Sequence, residues 1–185
     1  MAVASLGKYY DQVMAGRVFI GSTVAAGTAL PITTGTAMTF GLWNVSNTMN
    51  AVLLHIAIGY TSGTIALGEF GLINTMGGDS IATGGPISAF TDGALGTTYR
   101  NALLGRGNAT AMRFTPSAAT IVASSACAWL GKSIESATAG LGIFSADIDL
   151  DGRIIVPPGQ AVFLGGSVAQ TALFSCSLTW AEVPA

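Results

Sequence analysis

Residues 174–180 read Phe-Ser-Cys-Ser-Leu-Thr-Trp, a strict alternation of apolar and small polar side chains. Side chains of a β-strand point alternately to the two faces of a sheet, so this stretch has one apolar face and one polar face. A helix would mix the two sets around its surface. The pattern therefore predicts a strand whose apolar side chains, Phe174, Cys176, Leu178 and Trp180, lie in a core.

The same period of two recurs through the chain after Gly16. Val52, Leu54, Ile56, Ile58 and Tyr60 are expected on one face of a strand, with Leu53, His55, Ala57 and Gly59 on the other. Further strands are predicted over residues 17–24, 36–45, 64–73, 109–115, 120–130, 148–156 and 161–165, and residues 77–96 are predicted to be a loop. About nine short strands without helical crossovers predict one all-β domain, residues 17–185: a two-sheet antiparallel β-sandwich.

Residues 1–16 are predicted to form an N-terminal arm with a short helix. Leu6, Tyr9, Tyr10 and Val13 recur at helical spacing before Gly16, which puts them on one face. We predict that this face contacts a partner, either a neighbouring copy of the chain or a larger shell protein. Packing of the same face on the chain's own sheets is an alternative that the spacing leaves equally open.

The composition predicts association. Charged residues make up 9% of the chain, against about 25% in ordinary domains, and mean hydropathy is +0.60. A lone copy would expose a large uncharged surface that tends to associate. We therefore expect an oligomer. A monomer with a neutral surface rich in Ser and Thr is the alternative.

Nucleic acid and membrane are not expected as partners. No cluster of Lys and Arg is available to follow a phosphate backbone, and the longest dense apolar run, residues 51–58, has only the length of a strand. The first residues, MAVASLGKYYDQ, lack the apolar core of a signal peptide, so synthesis and folding in the cytoplasm are expected. Cys127 and Cys176 are expected to be buried thiols rather than a disulfide.

Two patterns could carry polar chemistry, and each has a simpler structural interpretation. Asp147, Asp149 and Asp151 match the start of a calcium loop, but the position that requires a bidentate Glu is Pro158, so carboxylates on a solvated strand face are favoured. His55 is the single histidine, and its strand pattern is typical of packing or an interface rather than of a catalytic base. We expect no catalytic residues, no metal, no cofactor and no enzyme activity.

The aromatic residues allow one further possibility. Trp43, Trp129, Trp180, Tyr60 and Tyr99 could stack on sugars if several lay exposed on one face. Core packing is the more economical interpretation of tryptophans in strands.

Residues 152–184 resemble the closing strands of jelly-roll subunits in the virions of tailed phages. The segments GRIIVPPGQAVFLGG (152–166) and FSCSLTWAEVP (174–184) give a strand that ends at a Pro-Gly turn, a second apolar strand and a final alternating strand. Trimeric tumour-necrosis-factor-like sandwiches are similar in this region. The virion resemblance implies a jelly-roll-like sandwich that serves as a capsid cement or decoration protein on the capsid surface, in contact with the major capsid protein or another virion protein. It also implies a homotrimer that is made in the host cytoplasm. A receptor- or carbohydrate-binding spike, with recognition in residues 77–96, is the alternative.

Overall fold

The computed structural model describes residues 8–75, 87–107, 109–122, 124–135 and 144–185. Over these residues the chain is nearly all β, with one short helix, α1 (Tyr10–Met14). The strands are β1 (Val18–Ser22), β2 (Thr28–Ala29), β3 (Ala37–Met38), β4 (Gly41–Trp43), β5 (Met49–Ser62), β6 (Gly68–Thr75), β7 (Ile87–Phe90), β8 (Tyr99–Asn101), β9 (Arg113–Thr115), β10 (Ala119–Ile121), β11 (Ser124–Ile134), β12 (Ser145–Val156), β13 (Ala161–Gly166) and β14 (Leu173–Pro184).

The described strands form three antiparallel sheets. Sheet A has the order β12-β5-β14-β1-β8, with β2 paired to β14; sheet B has the order β11-β6-β13-β4-β9; sheet C has the order β3-β10-β7. Eight of these strands can be renumbered one to eight in chain order: β1, β4, β5, β6, β11, β12, β13 and β14. In this numbering, sheet A contains the order 6-3-8-1 and sheet B contains the order 5-4-7-2. This is the strand order of a jelly roll. The predicted all-β antiparallel fold is confirmed, and the order is consistent with the predicted sandwich.

Sheets A and B share one hydrophobic core. Phe70 of β6 contacts Phe174 of β14 with ring centroids 5.5 Å apart, and Phe114 of β9 stacks on Trp180 of β14 at 5.8 Å. The alternation predicted for residues 174–180 is confirmed, since the apolar members are buried and Ser175 is exposed. The two sheets therefore face each other through their apolar sides.

Sheet C adds a third layer on the other face of sheet B. Ile73 and Phe163 of sheet B form a second core with Ile87 and Ile121 of sheet C. Residues 36–45 consequently supply two strands, β3 to sheet C and β4 to sheet B, where one was predicted. The predicted loop 77–96 contains β7, and its residues 77–86 lie outside the described part.

Strand β5 departs from the predicted alternation. Leu53 pairs with Trp180 and His55 pairs with Thr179, which leaves Leu54 as an extra residue in a bulge. Leu53 belongs to the core between sheets A and B, whereas Leu54 belongs to a small cluster on the outer face of sheet A. The predicted set with Leu54 and Ile56 on one face is wrong, because a bulge shifts the period of two by one residue.

Candidate interaction surfaces

Residues 8–16, which include helix α1, lie across the outer face of sheet A and are called the strap. Tyr9 and Val13 are half-buried in the cluster that contains Val18, Leu54 and Ala181. The Tyr9 hydroxyl donates a hydrogen bond to the Asp151 carboxylate at 2.6 Å, and Lys8 forms an ion pair with the same carboxylate. The start of the strap is thus fastened to β12, at one edge of sheet A.

The end of the strap is fastened at the opposite edge, near β8. The Asn101 amide donates to the Gly16 carbonyl at 2.7 Å, and the Arg106 guanidinium donates to the Met14 carbonyl at 3.3 Å. Gly16 has a φ of +72°, a conformation that favours glycine and turns the chain into β1. Polar contacts at both edges and apolar contacts between them hold α1 against the sheet.

The predicted contact residues are divided between the two sides of this strap. Leu6 lies outside the described residues. Tyr9 and Val13 face the chain's own sheet A, which matches the alternative left open by their spacing. Tyr10 does not share their face: it is 42% exposed on the solvent side, because α1 begins only at Tyr10. Contact of these residues with a partner stays a prediction.

Four large apolar side chains are exposed around the strap: Tyr10 (42%), Met14 (48%), Leu104 (77%) and Ile155 (56%). Leu104 lies in the turn that carries Arg106 to the end of the strap. Ile155 pairs with Val52, which packs against the cluster beneath the strap. These four residues form the strap patch, and it has Lys8, Asp11, Arg106 and Asp151 nearby, charges of both signs.

The acidic segment of β12 fastens the strap and is no calcium loop. Asp149 pairs with His55 and Ile154 pairs with Leu53, so residues 150–153 form a bulge. Asp151 (φ 54°) sits at this bulge, and its N–H donates to the Asp149 carboxylate at 2.9 Å. Among the described residues, no group of three or more His, Cys, Asp and Glu is placed to hold a metal ion. The carboxylates thus lie on a solvated strand, and one of them binds the arm.

His55 lies on the outer face of sheet A, where its imidazole contacts the Asp147 carboxylate. Of the two environments expected for it, apolar packing is not found, because His55 lies on the face opposite to the core residues Ile56 and Ile58. Contact of His55 with a partner stays a prediction. A shallow groove of about 470 Å³ next to the pair is lined by small residues that include Ser145, Ser175 and Ser177. A carboxylate that orients a histidine supplies one half of a nucleophile–base arrangement.

The three tryptophans differ in exposure. Trp180 (0%) and Trp43 (5%) are buried, as the core interpretation predicts, but Trp129 is 47% exposed. Trp129 pairs with Gly71, and a Cβ atom at Gly71 would lie 2.8 Å from Cε3 of the indole. The ring therefore occupies the space that a side chain at Gly71 would need. Trp129 also lines a cleft of about 250 Å³ between the edge strands β11 and β12.

Two buried titratable groups belong to the core rather than to a surface site. Burial raises the pKa of the Cys176 thiol to about 12, so this thiol is protonated and unreactive, as expected from the sequence. The side chain of Cys127 lies outside the described part. Glu182 is 6% exposed and accepts hydrogen bonds from the loop before β9 and from Trp180.

Comparisons with protein-family models, with curated proteins and with solved structures found no match. In the part of the chain that the structure describes, no helix has the length and apolar character needed to cross a membrane. The surfaces described above are therefore the grounds on which a function can be argued.

Proposed function

We propose that this chain is a structural subunit that works in an assembly, as a cement or decoration protein on a phage capsid. The observation that carries this proposal is the strap patch, four large apolar side chains that are exposed on the strap and near the two sheet edges to which it is fastened. Exposed apolar clusters mark interaction sites, and Tyr and Met are enriched at the cores of protein interfaces. The jelly-roll strand order supports the proposal because viral capsid proteins use it, but other functions use it as well.

Covering the strap patch supplies the free energy of association. Apolar area removed from water contributes about 25 cal/mol per Å² before the costs of association are subtracted, and a stable contact buries about 800 Å² on each partner. The nearby charges of both signs, Lys8 and Asp11 among them, suit contact with another copy. In a trimer that contact is heterologous, so the strap patch of one copy meets a different surface of the next copy. The proposed partners are copies of this chain, as a homotrimer, and the major capsid protein.

The test is to make the solvent side of the strap polar without touching its packed side. The double substitution Tyr10→Ser and Met14→Ser leaves Tyr9 and Val13 against sheet A. Light scattering should show the mass of the wild-type protein as a multiple of 18.6 kDa and a shift of the variant to the monomer mass. Binding of the variant to phage heads that lack their decoration protein should also be lost.

A matched control is Val122→Ser, which removes another exposed apolar side chain (63%) next to sheet C. This variant should keep both the oligomer mass and head binding, and near-ultraviolet circular dichroism should show both variants folded. The proposal is refuted if the wild-type protein remains a monomer at about micromolar concentration and binds no phage head.

A second candidate function, a receptor- or carbohydrate-binding spike, is favoured by one observation. Residues 77–86 of the loop predicted to carry recognition lie outside the described part, so the candidate rests on Trp129 instead. A tryptophan that is 47% exposed on a strand can offer its ring to a ligand. Binding of the purified protein to a glycan array tests this candidate. Reproducible binding supports it, and absence of binding to every glycan on the array contradicts it.

A further inference from the structure

We propose that Trp129, Glu69 and Ser133 form a subsite for a neutral saccharide, an inference that rests on the second candidate function. All three lie on β6 and β11 of sheet B. Trp129 pairs with Gly71, and Ser133 pairs with Glu69. Glu69 and Gly71 are two residues apart on β6, so their side-chain positions are on the same face and about 7 Å apart. That spacing is comparable to the width of one pyranose ring.

This face is the outer face of sheet B, beyond the area that sheet C covers. Phe70 and Leu72 point into the core shared with sheet A, so Glu69 and Gly71 point the other way. Ile73 also points outward, and it is covered by sheet C. Trp129 and Ser133 are exposed, and Glu69 is only partly buried. A ligand can therefore reach all three side chains from solvent.

The three side chains complement the two kinds of surface that a pyranose presents. The sugar's C–H groups form an apolar face that can cover an indole ring, while its hydroxyls need hydrogen-bond partners. Among the residues that the structure describes, none forms a hydrogen bond or an ion pair with the Glu69 carboxylate. Two sugar hydroxyls can donate to that carboxylate in charge-assisted bonds, and the oxygen of the exposed Ser133 hydroxyl, whose proton is donated to Glu135, can accept a further hydrogen bond beside it.

The charges of the subsite select against acidic sugars. Glu69 carries a negative charge on the face, and the Ser133 hydroxyl donates to Glu135, a second carboxylate, at 3.4 Å. Lys132 is the cation next to them in sequence. On this face, two carboxylates against Lys132 favour a hexose or an N-acetylhexosamine over a uronic acid or a sulfated sugar. A second cation near Trp129, Arg153, lies in the cleft beside β12 and donates to the carbonyls of Leu150 and Asp149.

Gly71 positions the indole. Because a Cβ atom at this position would lie 2.8 Å from Cε3 and 3.0 Å from Cζ3 of Trp129, Gly71→Ala must push the ring away from the sheet. The sheet itself can keep its pairing, since the side chain that yields is an exposed one. This substitution moves the ring without removing it, and it should weaken saccharide binding while the fold persists.

The experiment uses the indole N–H signals of the whole protein. The chain has three tryptophans, so a ¹H–¹⁵N spectrum contains three such signals, and Trp129→Phe identifies the exposed one. The probes are cellotriose, maltotriose and chitotriose, with trigalacturonate as the acidic comparison, each up to about 10 mM because single-subsite binding is weak. At least one neutral probe should shift the Trp129 signal in a saturable manner and leave the signals of Trp43 and Trp180 in place.

Saturation-transfer measurements on the sugar then compare the variants. Trp129→Ala and Gly71→Ala should weaken binding about tenfold or more, and Glu69→Gln should also weaken it. Val24→Ala, which shortens an exposed side chain (51%) on the sheet A side, should bind as the wild type does. Light scattering of Trp129→Ala should show an unchanged mass, and Tyr10→Ser with Met14→Ser should keep saccharide binding even as it loses assembly.

Three results would overturn the subsite: no shift of the Trp129 signal by any neutral probe, tighter binding of trigalacturonate than of the neutral probes, or loss of the oligomer in Trp129→Ala. The last result would identify Trp129 as a contact between subunits. The first two results do not bear on assembly. The third would add a subunit contact at Trp129, while the contact at the strap patch is tested on its own by Tyr10→Ser with Met14→Ser, so the subsite and the proposed assembly can fail separately.

Discussion

Replacing Glu182 by Ala should be among the most damaging single changes to stability, because it removes a buried acceptor and leaves its donors in place. The carboxylate accepts hydrogen bonds from the Thr110 hydroxyl, from the Ala111 N–H at 3.1 Å and from the Trp180 indole N–H at 3.4 Å. These contacts hold the loop that leads into β9 against the last strand. Glu182 therefore connects the last strand to Thr110 and Ala111, which lie 72 and 71 positions earlier in the chain.

The size of the loss in the free energy of unfolding depends on whether each donor can form a hydrogen bond with water instead. A buried donor left without an acceptor costs about 1–3 kcal/mol. The indole of Trp180 is 0% exposed and cannot reach water, whereas the exposed Ala111 and the half-buried Thr110 can recover part of their loss. We expect Glu182→Ala to lower the free energy of unfolding by about 3 kcal/mol, which lowers Tm by about 6–12 °C for a chain of this size.

The assay is urea unfolding followed by tryptophan fluorescence, with calorimetry for Tm, at one fixed protomer concentration because association shifts both. Glu182→Gln keeps one acceptor oxygen and should cost less than the alanine variant. The control is Glu135→Ala, at an exposed position, which should stay within about 0.5 kcal/mol of the wild type. If Glu182→Ala also stays within that margin, the carboxylate does not hold the loop and the reasoning is wrong.

Three further outcomes are expected. Burial raises the pKa of Cys176 from 9.0 to about 12, so the stability that its neutral thiol contributes is fully present below pH 9.0 and is lost as the pH rises towards 12. Urea titrations should show that the free energy of unfolding falls less over this pH range in Cys176→Ala than in the wild type. Calcium at about 1 mM should leave Tm unchanged in calorimetry, since the acidic bulge at Asp151 lacks a full ligand set, and a rise of several degrees would contradict this. Gly21→Ala places a Cβ atom 2.5 Å from Phe114 and should lower the free energy of unfolding by about 2 kcal/mol in urea titrations, whereas an unchanged value would show that the ring yields freely.

The sequence predicts the fold class well because the alternation in β14 is local. Each side chain in residues 174–180 takes the face that its own polarity requires, and this stretch alone is enough to show the pattern. The bulge at Leu54 is different, since it exists only because β5 pairs with both β14 and β12, and no local signal marks the residue that the ladder skips. The alternation places His55 opposite Ile56 and Ile58, as observed, and it fails only on the other side of the bulge, at residues 52–54.

The surfaces were harder to predict than the sheets. Tyr9 and Val13 keep the face that their helical spacing gives them, but the position of Tyr10 depends on where α1 begins, which a single sequence fixes poorly. Trp129 reads as a core residue because its strand is apolar. Trp129 is exposed because it lies on the outer face of sheet B beyond the area that sheet C covers, and Gly71, a glycine far away in the chain, leaves room for the ring to lie against the sheet.

Charge deficit and apolar exposure are separate properties of this molecule, and only the second supports assembly. The strands of sheet C contain no ionisable residue, yet their outward side chains include Ala37, Ala89 and Thr120, which are too small to form a large apolar patch. A neutral surface of this kind can face water at little cost. The strap has Lys8 and Asp11 within its own segment and still exposes large apolar side chains, whose contact with water is unfavourable until a partner covers them. The proposed assembly therefore rests on the exposed side chains of Tyr10 and Met14 and not on the low number of charged residues in the chain.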